Sequence, residues 1–187
     1  MLNQINLPTT GFPEFSTTNL RLRELMPSDA EAVHRIFADE EVTRFYDLDT
    51  FSDIRQATEL IRRQRIRFDN GEGIRWGITQ QQNNIVIGTV GIIFNQSNLS
   101  GGLGYDLARP YWRRGIMTEA LRIIIRYSFS SLRLNRLQAL VVPGNEASIG
   151  LLLKLGFSLE GLLREYAFFK GLYNDLLCYS LLRREFR

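Results

Sequence analysis

The chain has 187 residues, 44% hydrophobic and 23% charged, with a formal net charge of +3 at pH 7. That is an ordinary globular balance for one domain long enough to bury a core. A lone cysteine excludes an intramolecular disulfide, and with a lone histidine it makes no zinc site of the usual kind. No apolar run reaches the length of a membrane span and no basic-then-apolar leader opens the chain, so a soluble, cytoplasmic, metal-free protein is expected.

Residues 1–18 lack periodicity and are broken by Pro8, Gly11 and Pro13, so they read as an extended arm before a single domain over 19–187. Asn19 to Glu24 alternates Leu20 and Leu22 with polar neighbours, as a half-buried strand does. Pro27-Ser28-Asp29 offers an N-cap to a helix with the stripe Ala32, Val33, Ile36 and Phe37. A second helix begins near Ser52 or Asp53, runs to about Phe68 and closes at Asp69-Asn70-Gly71. Its Arg62, Arg63, Arg65 and Arg67 spread over more than one face, which argues for a solvated surface and against a nucleic-acid partner. Ile74–Thr79 and Ile85–Phe94 flank a polar turn and read as a hairpin, and a further strand ends at Leu107. Ala120, Leu121, Ile124, Ile125, Ser128 and Phe129 mark a helix over 118–131. Arg136–Val142 is a short apolar strand stopped by Pro143-Gly144-Asn145. A helix follows from Asn145 to Gly156, then strands at about 157–168 and 174–183 around the turn 170–174. This order specifies an α/β (α+β) fold, a mixed sheet with helices on its faces, and not a regular βαβ winding.

The most informative segment joins the strand end Gly104–Leu107 to a turn, Tyr111-Trp112-Arg113-Arg114-Gly115, and a helix start. A helix N-terminus exposes unpaired N–H groups and partial positive charge. Arg113 and Arg114 add full charges, and Gly115 lets the backbone approach a ligand. The turn is therefore suited to phosphate. Cys178 lies in an apolar run and reads as a structural thiol. His34, beside a helix stripe, reads as structural or surface. Phe45, Tyr46 and Trp76 are candidates either for an acceptor cleft or, as aromatics more commonly are, for the core.

Over Asn19–Glu185 the chain resembles the GNAT acetyltransferases, and within them the branch of ribosomal-protein N-terminal acetyltransferases. The residues that carry the resemblance occur in order: Leu20-Arg-Leu-Arg23 before Pro27-Ser-Asp29, Ile87-Gly88, Tyr111-Trp-Arg-Arg-Gly-Ile-Met-Thr-Glu-Ala120, Asn145-Glu-Ala-Ser148, Leu155-Gly-Phe157, Glu160-Gly161 and Gly171-Leu-Tyr-Asn-Asp175. The resemblance implies a mostly antiparallel central sheet, helices on both faces, and a splayed strand pair that admits acetyl-CoA. Pantetheine would pair with the Tyr105–Leu107 backbone, and pyrophosphate would lie on the turn formed by Arg113, Arg114, Gly115, Ile116, Met117 and Thr118. Trp112 and Met117 depart from the stricter form of the family's turn, whereas Gly115 keeps its backbone access.

Direct acetyl transfer needs a neutral amine, a stabilised oxyanion and a proton for the leaving thiolate. An α-amine, with a pKa near 8, needs less help from a base than a lysine does. Backbone N–H near Asp106 or Leu107 would serve the oxyanion. By the resemblance, Asn145 contacts pantetheine and Ser148 gives the thiolate its proton; both also suit helix capping. The tyrosine many relatives use is replaced by Leu152, and the glutamate some carry is replaced by Ala167. Glu165, two residues before Ala167, and Asp106 are the candidate bases, beside solvated or arginine-paired roles for either and a water chain with no single base. The implied activity is acetyl-CoA-dependent N-acetylation, with a protein or peptide N-terminal α-amine as favoured acceptor. A small amine, or a CoA-binding regulatory module that has lost catalysis, are the alternatives. Monomer and homodimer both stay open.

Overall fold

The computed structural model describes Ile5 and residues 11–186. Among them one sheet of eight strands runs through the molecule: β1 (Phe15–Ser16), β2 (Leu20–Glu24), β3 (Gly73–Gln80), β4 (Val86–Asn95), β5 (Ser100–Leu107), β6 (Arg136–Val141), β7 (Ser158–Phe169) and β8 (Leu172–Leu182). Their spatial order is β1-β2-β3-β4-β5-β6-β8-β7. Every pairing is antiparallel except β5 with β6. The helices are α1 (Ala30–Phe37), α2 (Glu40–Thr43), α3 (Ile54–Asp69), α4 (Ile116–Ser130) and α5 (Glu146–Lys154).

Strand alternation divides the core in two. Leu20, Leu22, Ile74, Trp76, Ile78, Val90 and Ile92 join the stripe of α4 and Leu152 of α5 in one cluster. All six of the expected α4 stripe residues are buried, each large apolar one contributing about 1.5–3 kcal/mol. Leu25, Val86, and the apolar residues of α1 and α3 form the second cluster. Helices therefore cover both faces.

Three departures from the sequence reading have local causes. Part of the arm is not separate from the sheet. Phe15 and Ser16 pair with Leu22 and Arg21, and Phe12 and Phe15 stack near Trp76, whose Nε1 donates to the Pro13 carbonyl at 2.6 Å. Residues 1–4 and 6–10 of the expected arm lie outside the described residues. A one-turn helix, α2, adds to the expected pair, too short to show a period. The last turn is also tighter than 170–174. Lys170 (φ 52°) and Gly171 (φ 74°) alone make it, a two-residue left-handed turn whose twist suits a hairpin.

Asp29 is the N-cap residue of α1, as expected, but its side chain anchors the entry to the helix without bonding the helix's own N–H groups. Arg23 Nη1 and Nη2 donate to its two carboxylate oxygens at 2.7 and 2.9 Å, and the Met26 N–H donates to Oδ2 at 2.7 Å. Arg23 Nε also donates to Asn84 Oδ1, which ties the β3–β4 turn to the same buried pair.

Candidate active site

The site begins where the parallel pairing ends. β5 and β6 are in register only at Ser100–Arg136, Gly101–Leu137 and Gly102–Gln138, and past Gly102 the two strands separate. Beyond that point no strand among the described residues pairs with β5 on the β6 side, as an inserted extended ligand requires. Alternation settles which groups face the gap. The Ala108 N–H donates to the Ile87 carbonyl on the β4 side, and the Leu99 carbonyl accepts from the Asn135 N–H on the β6 side. Odd-numbered residues of β5 therefore turn their backbone groups toward the gap. Tyr105 and Leu107 line it, while the Asp106 N–H is directed at β4. Of the two oxyanion donors considered, Leu107 has the usable orientation.

The turn after β5 is open and strained in the way an anion cradle is. Arg113 holds φ 59° and Gly115 φ 77°, and a Cβ built on Gly115 meets nothing within 4 Å. A non-glycine residue in that region costs roughly 1–2 kcal/mol, so Arg113 is held there by its surroundings. Gly115 is the N-cap of α4, and among the described residues no side chain caps that helix. Among them its first N–H groups, from Ile116, Met117 and Thr118, thus face the open cradle unpaired, at the positive end of the helix dipole. Arg113 and Arg114 are exposed, and neither makes an ion pair among the described residues. Trp112 has a definite task at its unusual place: its Nε1 donates to the Leu107 carbonyl at 2.6 Å and latches the turn to the end of the splayed strand. These features fit acetyl-CoA: an unpaired strand edge for the pantetheine amides and a free helix start beside two arginines for phosphate.

Across the gap, α5 brings Asn145 and Ser148. Asn145 caps the helix, its Oδ1 accepting from the Ser148 N–H at 3.2 Å. The Ser148 hydroxyl is not used in capping. It shares a 2.6 Å hydrogen bond with the phenol of Tyr105. Burial pushes the Tyr105 pKa up to about 12, against the opposing effect of its bond to Ser148. The sequence reading named Tyr105 for its backbone alone; nothing in one sequence tells which face of β5 its side chain takes relative to α5.

The two candidate carboxylates take the arginine-paired and solvated places that were the alternatives to a base. Asp106 is buried, with Oδ1 accepting from the Thr89 N–H at 3.0 Å and Oδ2 from Thr89 Oγ1 at 2.5 Å and Arg75 Nη2 at 2.7 Å. Arg75 also donates to Tyr46 Oη at 2.5 Å and to Thr89 Oγ1 at 2.7 Å. Burial works against the Arg75 charge, but Tyr46 and Asp106 beside it outweigh that and raise its pKa. Burial likewise pushes Tyr46 up to about 12. Asp106 is thus the buried partner of Arg75, with both carboxylate oxygens engaged. Glu165 is exposed at φ 50°, its N–H donating to Asp175 Oδ1. From Leu163–Leu176 to Ala167–Asn174 the β7 strand advances four residues and β8 only two. This bulge cancels the simple alternation that would place Glu165 with Ala167.

Trp76 belongs to the core, and Phe45 lies under Arg44 at 5.2 Å. Tyr46 tethers the segment after α2 to Arg75. The β7–β8 turn closes on the same region, Lys170 Nζ donating to the Thr43 carbonyl at 2.6 Å. Cys178 sits on β8 near Glu160 and Arg136, its pKa raised by burial and then by Glu160. His34 is half-buried on α1, with Nε2 unpartnered among the described residues.

The model of the acetyltransferase (GNAT) domain matches residues 19–158. The chain belongs to the GNAT acetyltransferase family. This GNAT protein is 38% identical to an uncharacterized N-acetyltransferase of Bacillus subtilis, YoaA, over 92% of its own length and 98% of that protein. It is 31% identical to the [ribosomal protein uS5]-alanine N-acetyltransferase of Escherichia coli, over 56% of this chain and 55% of that one. Its fold matches the microcin C7 self-immunity acetyltransferase MccE, solved with acetyl-CoA and AMP, at a TM-score of 0.79, covering 89% and 93% of the two chains at 22% identity. The chain is accordingly a GNAT-type N-acetyltransferase. Among its described residues no helix is long and apolar enough to cross a membrane.

Proposed function

We propose that this N-acetyltransferase binds acetyl-CoA between β5 and β6 and passes the acetyl group directly to the α-amine of a protein or peptide N-terminus. The observation that carries the reading is the separation of β5 from β6 after three residue pairs, with Ser148 facing Tyr105 across the opening. In this reading the Tyr105 and Leu107 backbones hold the pantetheine arm, and the Arg113–Thr118 turn holds the pyrophosphate. When bound, acetyl-CoA supplies the activated acetyl group. Asn145 fixes the start of α5, Ser148 holds the proton that the departing sulfur takes, and the Leu107 N–H supports the carbonyl oxygen as it gains charge. The amine loses its proton to water, the Asp106 oxygens being held by Thr89 and Arg75 and Glu165 lying exposed on β7. No covalent relay through Cys178 is needed, because that thiol is engaged beside Glu160 on another strand. The likeness to a uS5-alanine acetyltransferase supports the α-amine acceptor.

A second reading, a small cationic amine, draws on one observation. Glu40, Glu41 and Asp49 rim a cleft completed by Thr43, Arg44, Thr50, Lys170 and Gly171. Thiol release from acetyl-CoA, measured against peptides beginning with Ser, Ala or Met and against polyamines, separates the two. Ser148→Ala is expected to lower kcat on the order of 10²-fold with the preferred acceptor. An unchanged kcat removes Ser148 from the reaction.

A further inference from the structure

The hydroxyl of Ser148 has one proton and two acceptor lone pairs. Among the described residues its oxygen has a single side-chain partner, the Tyr105 phenol at 2.6 Å. A phenol is a far stronger acid than an aliphatic alcohol, so the favoured arrangement has Tyr105 donating and Ser148 accepting. That occupies one serine lone pair and leaves the serine proton unspent. The helix start does not claim it either, because the Asn145 side chain already caps α5 through the Ser148 backbone N–H. The phenol reaches the serine from β5, whose backbone lines one side of the gap, so it is fixed relative to the place where pantetheine would lie.

We propose that Tyr105 is a positioning residue for acetyl transfer: by donating to the Ser148 oxygen it orients the serine hydroxyl so that its single proton is presented to the sulfur leaving the acetyl group. The inference rests on the reading of Ser148 as the thiolate's proton donor. In the step itself the new C–N bond forms, the C–S bond breaks, and sulfur keeps the electron pair and takes the Ser148 proton. The proton shed by the acceptor nitrogen passes to solvent, and solvent reprotonates Ser148. Tyr105 keeps its own proton throughout. Two properties favour this division of labour. A hydrogen bond accepted from the phenol polarises the serine O–H and makes it a better donor. Burial also keeps the phenol protonated, with its pKa at about 12, across the range in which an amine acceptor becomes neutral.

The test compares wild type, Tyr105→Phe, Ser148→Ala and the double variant, using acetyl-CoA with an Ala-initiated peptide and, separately, CoA alone. With CoA alone, thiolate absorbance gives the pKa of the bound thiol. A serine proton aimed at sulfur stabilises the thiolate, so Ser148→Ala raises that pKa, and Tyr105→Phe raises it in the same direction by less. In turnover, Tyr105→Phe lowers kcat roughly tenfold to a hundredfold with the acetyl-CoA KM little changed, and the double variant is no slower than Ser148→Ala. Additive losses, a KM effect with kcat intact, or an unmoved thiol pKa in Tyr105→Phe overturn the proposal while leaving Ser148 in place. If Ser148→Ala alters neither thiol pKa nor kcat, the parent reading fails and the proposal with it. Thermal melts accompany each variant. Should Tyr105→Phe fail to fold, 3,5-difluorotyrosine at position 105 replaces it. That more acidic phenol is expected to bring the alkaline fall of kcat to lower pH, and an unmoved limb overturns the role.

Discussion

Asp106 stands one residue from Tyr105, yet strand alternation sends the two side chains to opposite faces, one toward Arg75 and the other toward Ser148. A carboxylate taken out of water keeps its charge only with a partner, and a partner so held is costly to lose. Asp106→Asn removes the counter-ion and leaves the Arg75 guanidinium buried with a neutral neighbour. It is expected to cost on the order of 3–5 kcal/mol in urea unfolding. The pH dependence of kcat should not move at temperatures where the variant stays folded. A displaced pH profile in a stable variant would return Asp106 to the chemistry. Trp112 illustrates the same point with a neutral group. Its indole N–H fixes the Leu107 carbonyl, so an aromatic at that place joins the turn to the strand.

At the level of elements, the turn before α4 carries the clearest consequence. Gly115 occupies φ 77°, and Ala there would pay roughly 1–2 kcal/mol for the backbone and put a methyl group into the open cradle. Gly115→Ala should weaken CoA binding about tenfold or more in calorimetry, with a smaller effect on kcat once acetyl-CoA saturates. Equal affinity would show that the cradle is not where the anion sits. Much of this was legible beforehand. The glycine, the paired arginines and the helical stripe from Ala120 to Phe129 are adjacent in sequence, and local chemistry decides their structure. The bulge at Arg164–Tyr166 was not legible, because β7 and β8 slip through a mismatch in ladder length that leaves no mark in residue type. Nor was the hydrogen bond between Tyr105 and Ser148, 43 residues apart, since it depends on how α5 docks against β5. Arg75 and Tyr46 met for the same reason, a long-range packing choice.

The whole molecule has a predictable alkaline weakness. Burial raises the phenols of Tyr46, Tyr105 and Tyr127 from 10.0 to about 12. Each is then neutral in the fold where the unfolded chain would ionise it. The stability they lend is complete below pH 10 and is lost as pH climbs from there to about 12. Denaturant midpoints over that interval should fall steeply, and Tyr127→Phe, half-buried and outside the gap, should lessen the slope. The acid side follows the opposite sign. Glu160, drawn down to about 2 by Arg136 and Ser180, supports the fold above its ordinary 4.5 and ceases to do so as pH drops toward 2. Glu160→Gln should flatten that limb. The eight-stranded sheet is also, mechanically, two sheets: five strands and three strands share a seam only three residue pairs long. A ligand that adds an extended chain beside that seam lengthens it like a zip. Amide exchange at the β5 and β6 edges should therefore slow together when CoA binds, with the melting temperature rising with the logarithm of its concentration.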